Sequence, residues 1–415
     1  MRITRSSLRL GLVAGVALVA TTPAAAVASA SSTASASSPP AVRFGLPRPT
    51  GPHQVGVVDL HLVDHSRSDP WVPDADRELM VTIHYPALGT GRPRAPFMTP
   101  GVARAAAEAD ARALGVDADL LNYKFRTHAR TGAAVLRRGG PTPVLLYSPG
   151  TKMSRSFGTT QLEQLASEGY VVVAIDHTHE AVAVEFPGGR VVRSVLPPFS
   201  VEIAKRVMAT RVQDTSFVLD QLEVLAAGGN PDAGQRRLPA GLGRRLDLAR
   251  VGMFGHSGGG FTAGETMVSD RRIDAGANLD GSMGYSQSTG DFGRVADEGL
   301  DRPFLLMSAG DHSAHSDPSW QRFLSRHRGW IRQLHMPAGE HFSYTDRQTM
   351  LPQLFRQLGL DPAVGEPSIG TVSAARSVAA QRAYVTAFFD EHLRHRPQRL
   401  LNGPSPRHPD VQFLN

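Results

Sequence analysis

Gly255-His256-Ser257-Gly258-Gly259 forms a G-x-S-x-G pattern. In a chain with 41 glycines the pattern alone is weak, so its neighbours decide what it means. An apolar run, Arg250 to Phe254, stops just before it, and a helix-compatible run, Gly258 to Val268, starts at once. A strand that turns directly into a helix forces the serine into strained backbone angles and lifts its hydroxyl above the sheet. Glycines flank such a serine because side chains there would collide with the adjoining strand and helix. The helix N-terminus offers N–H groups and a partial positive charge to a developing oxyanion. Ser257 is therefore the expected nucleophile. The competing reading, a phosphate loop, has no G-x-x-x-x-G-K-[ST] and no G-x-G-x-x-G after a first strand to support it.

A serine hydroxyl attacks only when a base takes its proton, and on such a scaffold the chain order is serine, acid, histidine. Of the 16 histidines, His341 stands in Pro337-Ala338-Gly339-Glu340-His341-Phe342, a loop after the strand-like run Trp330 to His335. His335, inside that run, and His392, on the C-terminal helix, read as structural or solvated. Two acids stand at strand ends: Asp280, after Asn278-Leu279, and Asp311, in Ala309-Gly310-Asp311-His312. Both loops leave the same edge of the sheet, so the residue types leave both open. A second oxyanion donor is expected from Tyr147-Ser148-Pro149-Gly150-Thr151, through the backbone N–H of Thr151.

These loops need strands and helices to hold them. Pro143 to Tyr147 and Tyr170 to Ile175 are short, wholly apolar runs, as expected of strands covered on both faces. Ala275 to Leu279 and Pro303 to Met307 continue the series. Helical stretches accompany them: Gly101 to Leu114, before the first, is alanine-rich; Val201 to Ala227, between them, stops at Gly228-Gly229; and Ala374 to Leu393, after the last, carries Tyr384, Val385, Phe388 and Phe389 on one face. Alternation of this kind predicts an α/β fold with a mostly parallel, doubly wound sheet. Glu78 to Tyr85 alternates and is expected as an antiparallel edge strand of the N-terminal part.

Composition narrows the function classes. The 415 residues are 41% hydrophobic and suffice for a large core. The net charge of +6 includes Arg2, Arg5 and Arg9; without these three, 41 basic residues face 38 acidic ones. No basic run accompanies that excess, which argues against nucleic acid as a partner. Arg2 to Arg9, the apolar Leu10 to Ala20 and the A-x-A sites Ala26-Val27-Ala28 and Ala28-Ser29-Ala30 read as a cleavable secretory signal over residues 1–30. A Ser/Ala/Pro linker over 31–43, a single catalytic domain over 44–400 and a tail over 401–415 complete the expected organisation. Secretion without a transmembrane segment in the mature form follows from this reading. With no cysteine, disulfides, thiolate metal sites and an N-terminal cysteine lipid anchor are excluded.

At these residues the chain resembles the platelet-activating factor acetylhydrolases of the serine-dependent, lipoprotein-associated and bacterial secreted type, within the α/β-hydrolases. The matching stretches are Gly51-Pro52, Val55-Gly56, Asp59, Tyr85-Pro86, Ser148-Pro149-Gly150, Gly169-Tyr170 to Asp176-His177, Gly255-His256-Ser257, Leu279-Asp280 and Gly339-Glu340-His341. In that family the acid belongs to a Leu-Asp pair 23 residues after the nucleophile, and Asp280 stands 23 after Ser257. The resemblance thus implies Ser257, Asp280 and His341 as the triad and the backbones of Thr151 and Gly258 as oxyanion donors. It implies hydrolysis of short-acyl or oxidised phospholipids, or of small esters, with transient contact at a lipid interface. Two departures are Pro149, where the animal enzymes carry histidine, and Gly258-Gly259 in place of an aromatic-glycine pair.

The chemistry calls for no cofactor and no metal. A histidine base must be neutral, so activity is expected to fall below about pH 6–7. A cutinase-like polyester hydrolase using Asp311 and a catalytically inactive secreted binding protein remain as alternatives. His177-x-His179-Glu180 and Asp311-His312 with His315 and Asp317 have metal-ligand residue types without a convincing third ligand. Val191 to Phe199 is expected either as part of a lid or acyl-pocket wall or as core, Gly228 to Leu246 as a solvated insertion, and Arg211 with Asp214 as an ion pair or cap. Nothing in the sequence fixes the oligomeric state.

Overall fold

Val144, Leu145, Leu146 and Tyr147 are all buried, but on opposite sides: Val144 and Leu146 join one apolar cluster, Leu145 and Tyr147 another. This is the consequence of a strand's two-residue period when helices cover both faces. The computed structural model describes residues 41–89 and 91–414; the signal reading and most of the linker reading fall outside them.

Along the chain, β1 (Gln54–Ser68) and β2 (Asp76–Ala87) pair antiparallel, followed by β3 (Arg94–Pro96), α1 (Pro100–Leu114) and β4 (Arg126–Thr131). Then come β5 (Thr142–Ser148), α2 (Thr159–Ser167) and β6 (Val171–Asp176). A ribbon of β7 (Ala183–Glu185) and β8 (Val191–Arg193) leads into α3 (Val201–Ala226). The central unit is β9 (Leu246–His256), α4 (Gly258–Ser269) and β10 (Ile273–Leu279). A second ribbon, β11 (Gly284–Ser286) and β12 (Asp291–Phe292), precedes α5 (Arg294–Glu298). β13 (Phe304–Ala309), α6 (Pro318–Arg326) and β14 (Ile331–Met336) follow. α7 (Arg347–Leu358), α8 (Glu366–Ile369), α9 (Ala374–Arg394) and β15 (Gln412–Leu414) close the chain.

Eleven strands form one sheet in the order β15-β14-β13-β10-β9-β5-β6-β2-β1-β4-β3. From β14 through β6 all neighbours run parallel, so the C-terminal ends of β5, β9, β10, β13 and β14 open on one side. This is the α/β-hydrolase arrangement. α3 and α4 cover one face, α2 and α9 the other. On α9, Phe388 and Phe389 are fully buried. Each contributes roughly 1.5–3 kcal/mol relative to exposure. Gly252 makes room for Phe389: a Cβ there would stand 2.6 Å from its ring.

Several expectations change. Glu78–Tyr85 is not an edge strand; β2 lies between β1 and β6, because the long β1 pairs its outer side. Val42 is buried and donates to the Leu120 carbonyl at 2.8 Å, so packing starts before residue 44. The C-terminal residues are no free tail: β15 pairs with β14, and Leu401 and Val411 are buried. Val195 and Phe199 are 52% and 67% exposed, which rules out core for that end of the 191–199 strap. The 228–246 insertion is only partly solvated: buried Asp232, which accepts the His61 N–H, and buried Leu242, Arg245 and Leu246 pin it to the core. Arg211 and Asp214 do not pair with each other; Arg211 meets Glu180, and Asp214 meets Arg77 and His177.

Candidate active site

β9 delivers His256 at its end, and α4 begins at Gly258, leaving Ser257 alone at the bend with φ 56° and ψ −125°. An L-residue holds such angles only when its surroundings enforce them. Here the Ser257 N–H donates to the Leu279 carbonyl at 2.8 Å, and its own carbonyl accepts from Gly260 and Phe261. The glycines permit the bend. A Cβ on Gly255 would lie 2.3 Å from the Gly259 carbonyl carbon, and one on Gly259 would lie 1.9 Å from the Ser148 oxygen.

His341 opens a short turn after β14, with its side chain 42% exposed. Its Nε2 lies 3.0 Å from Ser257 Oγ, and its Nδ1 lies 2.7 Å from Asp280 Oδ2. The residues named from the sequence as nucleophile and base therefore meet within hydrogen-bond reach. Asp280 is buried at the end of β10, also at positive φ, and its Oδ1 accepts the Ala309 N–H at 3.0 Å. Burial alone would raise its pKa, but hydrogen bonds from His312 and His341 hold the carboxyl well below the usual carboxylate range. Asp311 is exposed on the next loop, and among the described residues no hydrogen bond joins its carboxylate to His341.

The Ser148–Thr151 loop faces the helix start: the Thr151 nitrogen is 3.4 Å from where a Cβ on Gly258 would sit. Arg211 anchors this loop from beneath, donating to the Pro149 carbonyl at 2.7 Å and to Ser148 Oγ at 3.0 Å. Glu180, paired with Arg211, accepts the Lys152 N–H at 3.4 Å. Among the described residues, neither the Thr151 nor the Gly258 N–H donates to a protein acceptor, so both are free for an oxyanion.

Three partners escaped the sequence reading. His256, the variable residue of the motif, is buried, and its Nε2–H donates to the His341 carbonyl at 2.8 Å. Burial first, and the neighbouring His341 second, lower its pKa to about 3, so it acts as a neutral strut. Arg211 reads from sequence as an ion pair or cap with Asp214, whereas it holds the Pro149 carbonyl and Glu180. His312 has the residue type of a metal ligand in the sequence, whereas it bonds Asp280 and Asp317. His177 and His179 go to Asp214 and Asp69. Among the described residues no group of three or more His, Asp or Glu could hold a metal ion, and no helix is long and apolar enough to cross a membrane.

The family model for platelet-activating factor acetylhydrolase, isoform II, matches residues 41–289. The chain belongs to the platelet-activating factor acetylhydrolase family. Within it, the chain is 32% identical over 401 residues to a probable 1-alkyl-2-acetylglycerophosphocholine esterase of Arthroderma benhamiae, covering 90% of this chain and 94% of that one. It is 28% identical over 163 residues to a platelet-activating factor acetylhydrolase of Cavia porcellus, covering 35% and 36% of the two chains. Among solved structures it resembles a ferulic acid esterase from Streptomyces cinnamoneus, with 39% identity, a TM-score of 0.71 and coverage of 89% of this chain and 99% of that one. This acetylhydrolase-family chain is a carboxylic ester hydrolase rather than a non-catalytic binding protein. The family match takes in Ser257 and Asp280 and ends before His341.

Proposed function

We propose that the protein hydrolyses short-acyl carboxylic esters through a covalent acyl-enzyme on Ser257. The observation that carries this reading is the unbroken chain from Ser257 Oγ to His341 Nε2 at 3.0 Å and from His341 Nδ1 to Asp280 at 2.7 Å. Oγ attacks the ester carbonyl carbon while its proton passes to Nε2 of His341. The carbonyl oxygen becomes an oxyanion held by the N–H groups of Thr151 and Gly258. Collapse expels the alcohol, which takes the proton from His341. Water then attacks the acyl-serine, gives a proton to His341, and releases the carboxylic acid as that proton returns to Oγ. Asp280 keeps the imidazole in the productive tautomer and stabilises the imidazolium.

The substrates we favour are phospholipids with a short or oxidised sn-2 chain and small soluble esters. The exposed Val195 and Phe199 give the strap apolar surface for brief contact with a lipid interface. The likeness to a ferulic acid esterase favours a second reading, an aryl-acid ester substrate. Secretion through the N-terminal segment belongs to the same proposal. The deciding experiment is a p-nitrophenyl ester chain-length series run beside a short-chain phosphatidylcholine and methyl ferulate. Rapid turnover of acetyl and butyryl esters together with the phosphatidylcholine supports the first reading. Turnover of methyl ferulate without phospholipid cleavage replaces it with the second.

A further inference from the structure

The loop after β13 places His312 between two carboxylates. Its Nδ1 lies 2.9 Å from Asp280 Oδ1 and its Nε2 lies 2.9 Å from Asp317 Oδ2. Ionised carboxylates only accept hydrogen bonds, so both ring nitrogens must donate. A ring that donates from both nitrogens is an imidazolium. A neutral ring would turn a nitrogen lone pair toward a carboxylate oxygen at bonding distance. Burial by itself would depress the pKa of this ring, but the bonds to Asp280 and Asp317 outweigh it and raise the value to about 10.

The clamp stands on rigid elements. Asp317 caps α6, accepting the N–H groups of Ser319 and Trp320. The His312 ring packs 4.7 Å from the Trp320 ring, whose Nε1–H donates to the Gly281 carbonyl at 2.8 Å. Asp280 is thereby held from both sides: Oδ1 by Ala309 and His312, Oδ2 by His341.

We propose that His312 is a positioning residue that fixes the Asp280 carboxylate and shares its negative charge, so that Asp280 orients His341 without locking a proton onto it. The inference rests on the triad reading above. A buried carboxylate 2.7 Å from an imidazole stabilises the protonated ring, yet a base must start neutral. A fixed cation on the far oxygen offsets that pull. The other titratable or charged groups facing this cluster are His335, bonded to Ser308, Tyr344, whose hydroxyl donates to the Ser308 carbonyl near Asp280, and Glu340, beside both Asp280 and Asp311. On the His341 side stand the neutral His256 and, through Phe342, Arg347.

The test has two parts. In wild-type protein labelled with 15N-histidine, two-bond 1H–15N spectra at pH 8.5 should contain a ring protonated on both nitrogens; a spectrum in which every ring is neutral overturns the proposal. In His312→Gln, the acidic limb of kcat/KM for p-nitrophenyl acetate should move upward by on the order of one pH unit, with KM little changed, because His341 then faces the full charge of Asp280. Ala309 still holds Oδ1 in that variant. A purely structural residue would lower the amount of folded enzyme and leave the limb where it was, so an unmoved limb in folded His312→Gln counts against the proposal. Ser257→Ala run in parallel separates the two readings. Turnover surviving in Ser257→Ala defeats the triad itself, whereas an inactive Ser257→Ala with an unmoved limb defeats only the role of His312.

Discussion

Arg211 on α3 donates from Nη1 to the Pro149 carbonyl across 2.7 Å. That bond ties the Pro149 carbonyl to the core, while the Thr151 nitrogen, two residues on, lies beside the start of α4, 3.4 Å from where a Cβ on Gly258 would sit. Glu180 completes the anchor by holding the guanidinium and the Lys152 N–H. Both Arg211 and Glu180 are buried, so neither charge tolerates the loss of the other. Arg211→Ala should cost about 3–5 kcal/mol of stability, because Glu180 is left buried and unpaired. Arg211→Lys keeps the charge but not the fork, and a misplaced oxyanion donor should lower kcat roughly 100-fold with less effect on KM. Thermal unfolding and p-nitrophenyl acetate kinetics check both variants; a fully active Arg211→Lys would show that the loop holds itself.

The two candidate acids separate cleanly by substitution. Asp280→Asn should reduce kcat by about 10⁴, since an amide cannot hold the productive imidazole tautomer. Asp311→Asn should stay within about twofold, because Asp311 is exposed and makes no hydrogen bond to His341 among the described residues. Ser257→Ala should lose on the order of 10⁶. The opposite ranking of the two aspartates would return the assignment to the later loop.

The bend at Ser257 depends on missing side chains. Gly259→Ala drives a methyl to 1.9 Å from the Ser148 oxygen, a backbone atom that cannot rotate away. The variant should be destabilised by about 3 kcal/mol or more, or fail to accumulate as soluble protein. Gly45→Ala meets nothing within 4 Å and should change stability by less than about 0.5 kcal/mol. Urea unfolding of the two side by side measures the contrast.

Glu265, on α4, is buried with its carboxylate accepting the Val295 N–H at 2.7 Å. Burial pushes its pKa from 4.5 up to about 7. The folded state therefore keeps a proton that the unfolded chain has lost, and stability falls as pH rises from about 4.5 to about 7. Asp346, also buried and raised to about 7, adds to the same slope. Glu265→Gln removes one contribution, so its stability relative to wild type should improve between pH 5 and pH 8, by at most on the order of 3 kcal/mol. Urea midpoints at four pH values in that range would expose a pH-independent difference, which is the outcome that sinks this account.

Features with a local period or a local turn could be read from the residues alone. Apolar runs in β5 and β6, the glycines around Ser257 and the aromatic face of α9 carry their meaning within a few residues, so strand, bend and helix were legible before any folding. His341 was legible for the same reason, as a loop histidine just past a strand. Pairing across distance, by contrast, came only with the folded chain. Asp280 and Asp311 have similar local settings, and only the arrangement of β10 and β13 brings Asp280, 61 residues from His341 in sequence, within 2.7 Å of its ring. β1 moved Glu78–Tyr85 from the edge to the interior because a neighbour in a sheet leaves no mark on the strand it joins. Arg211 under the Pro149 carbonyl and His312 between Asp280 and Asp317 were equally hidden, since a buried charge is recognised by the partner that offsets it, and spacing along the chain does not identify that partner.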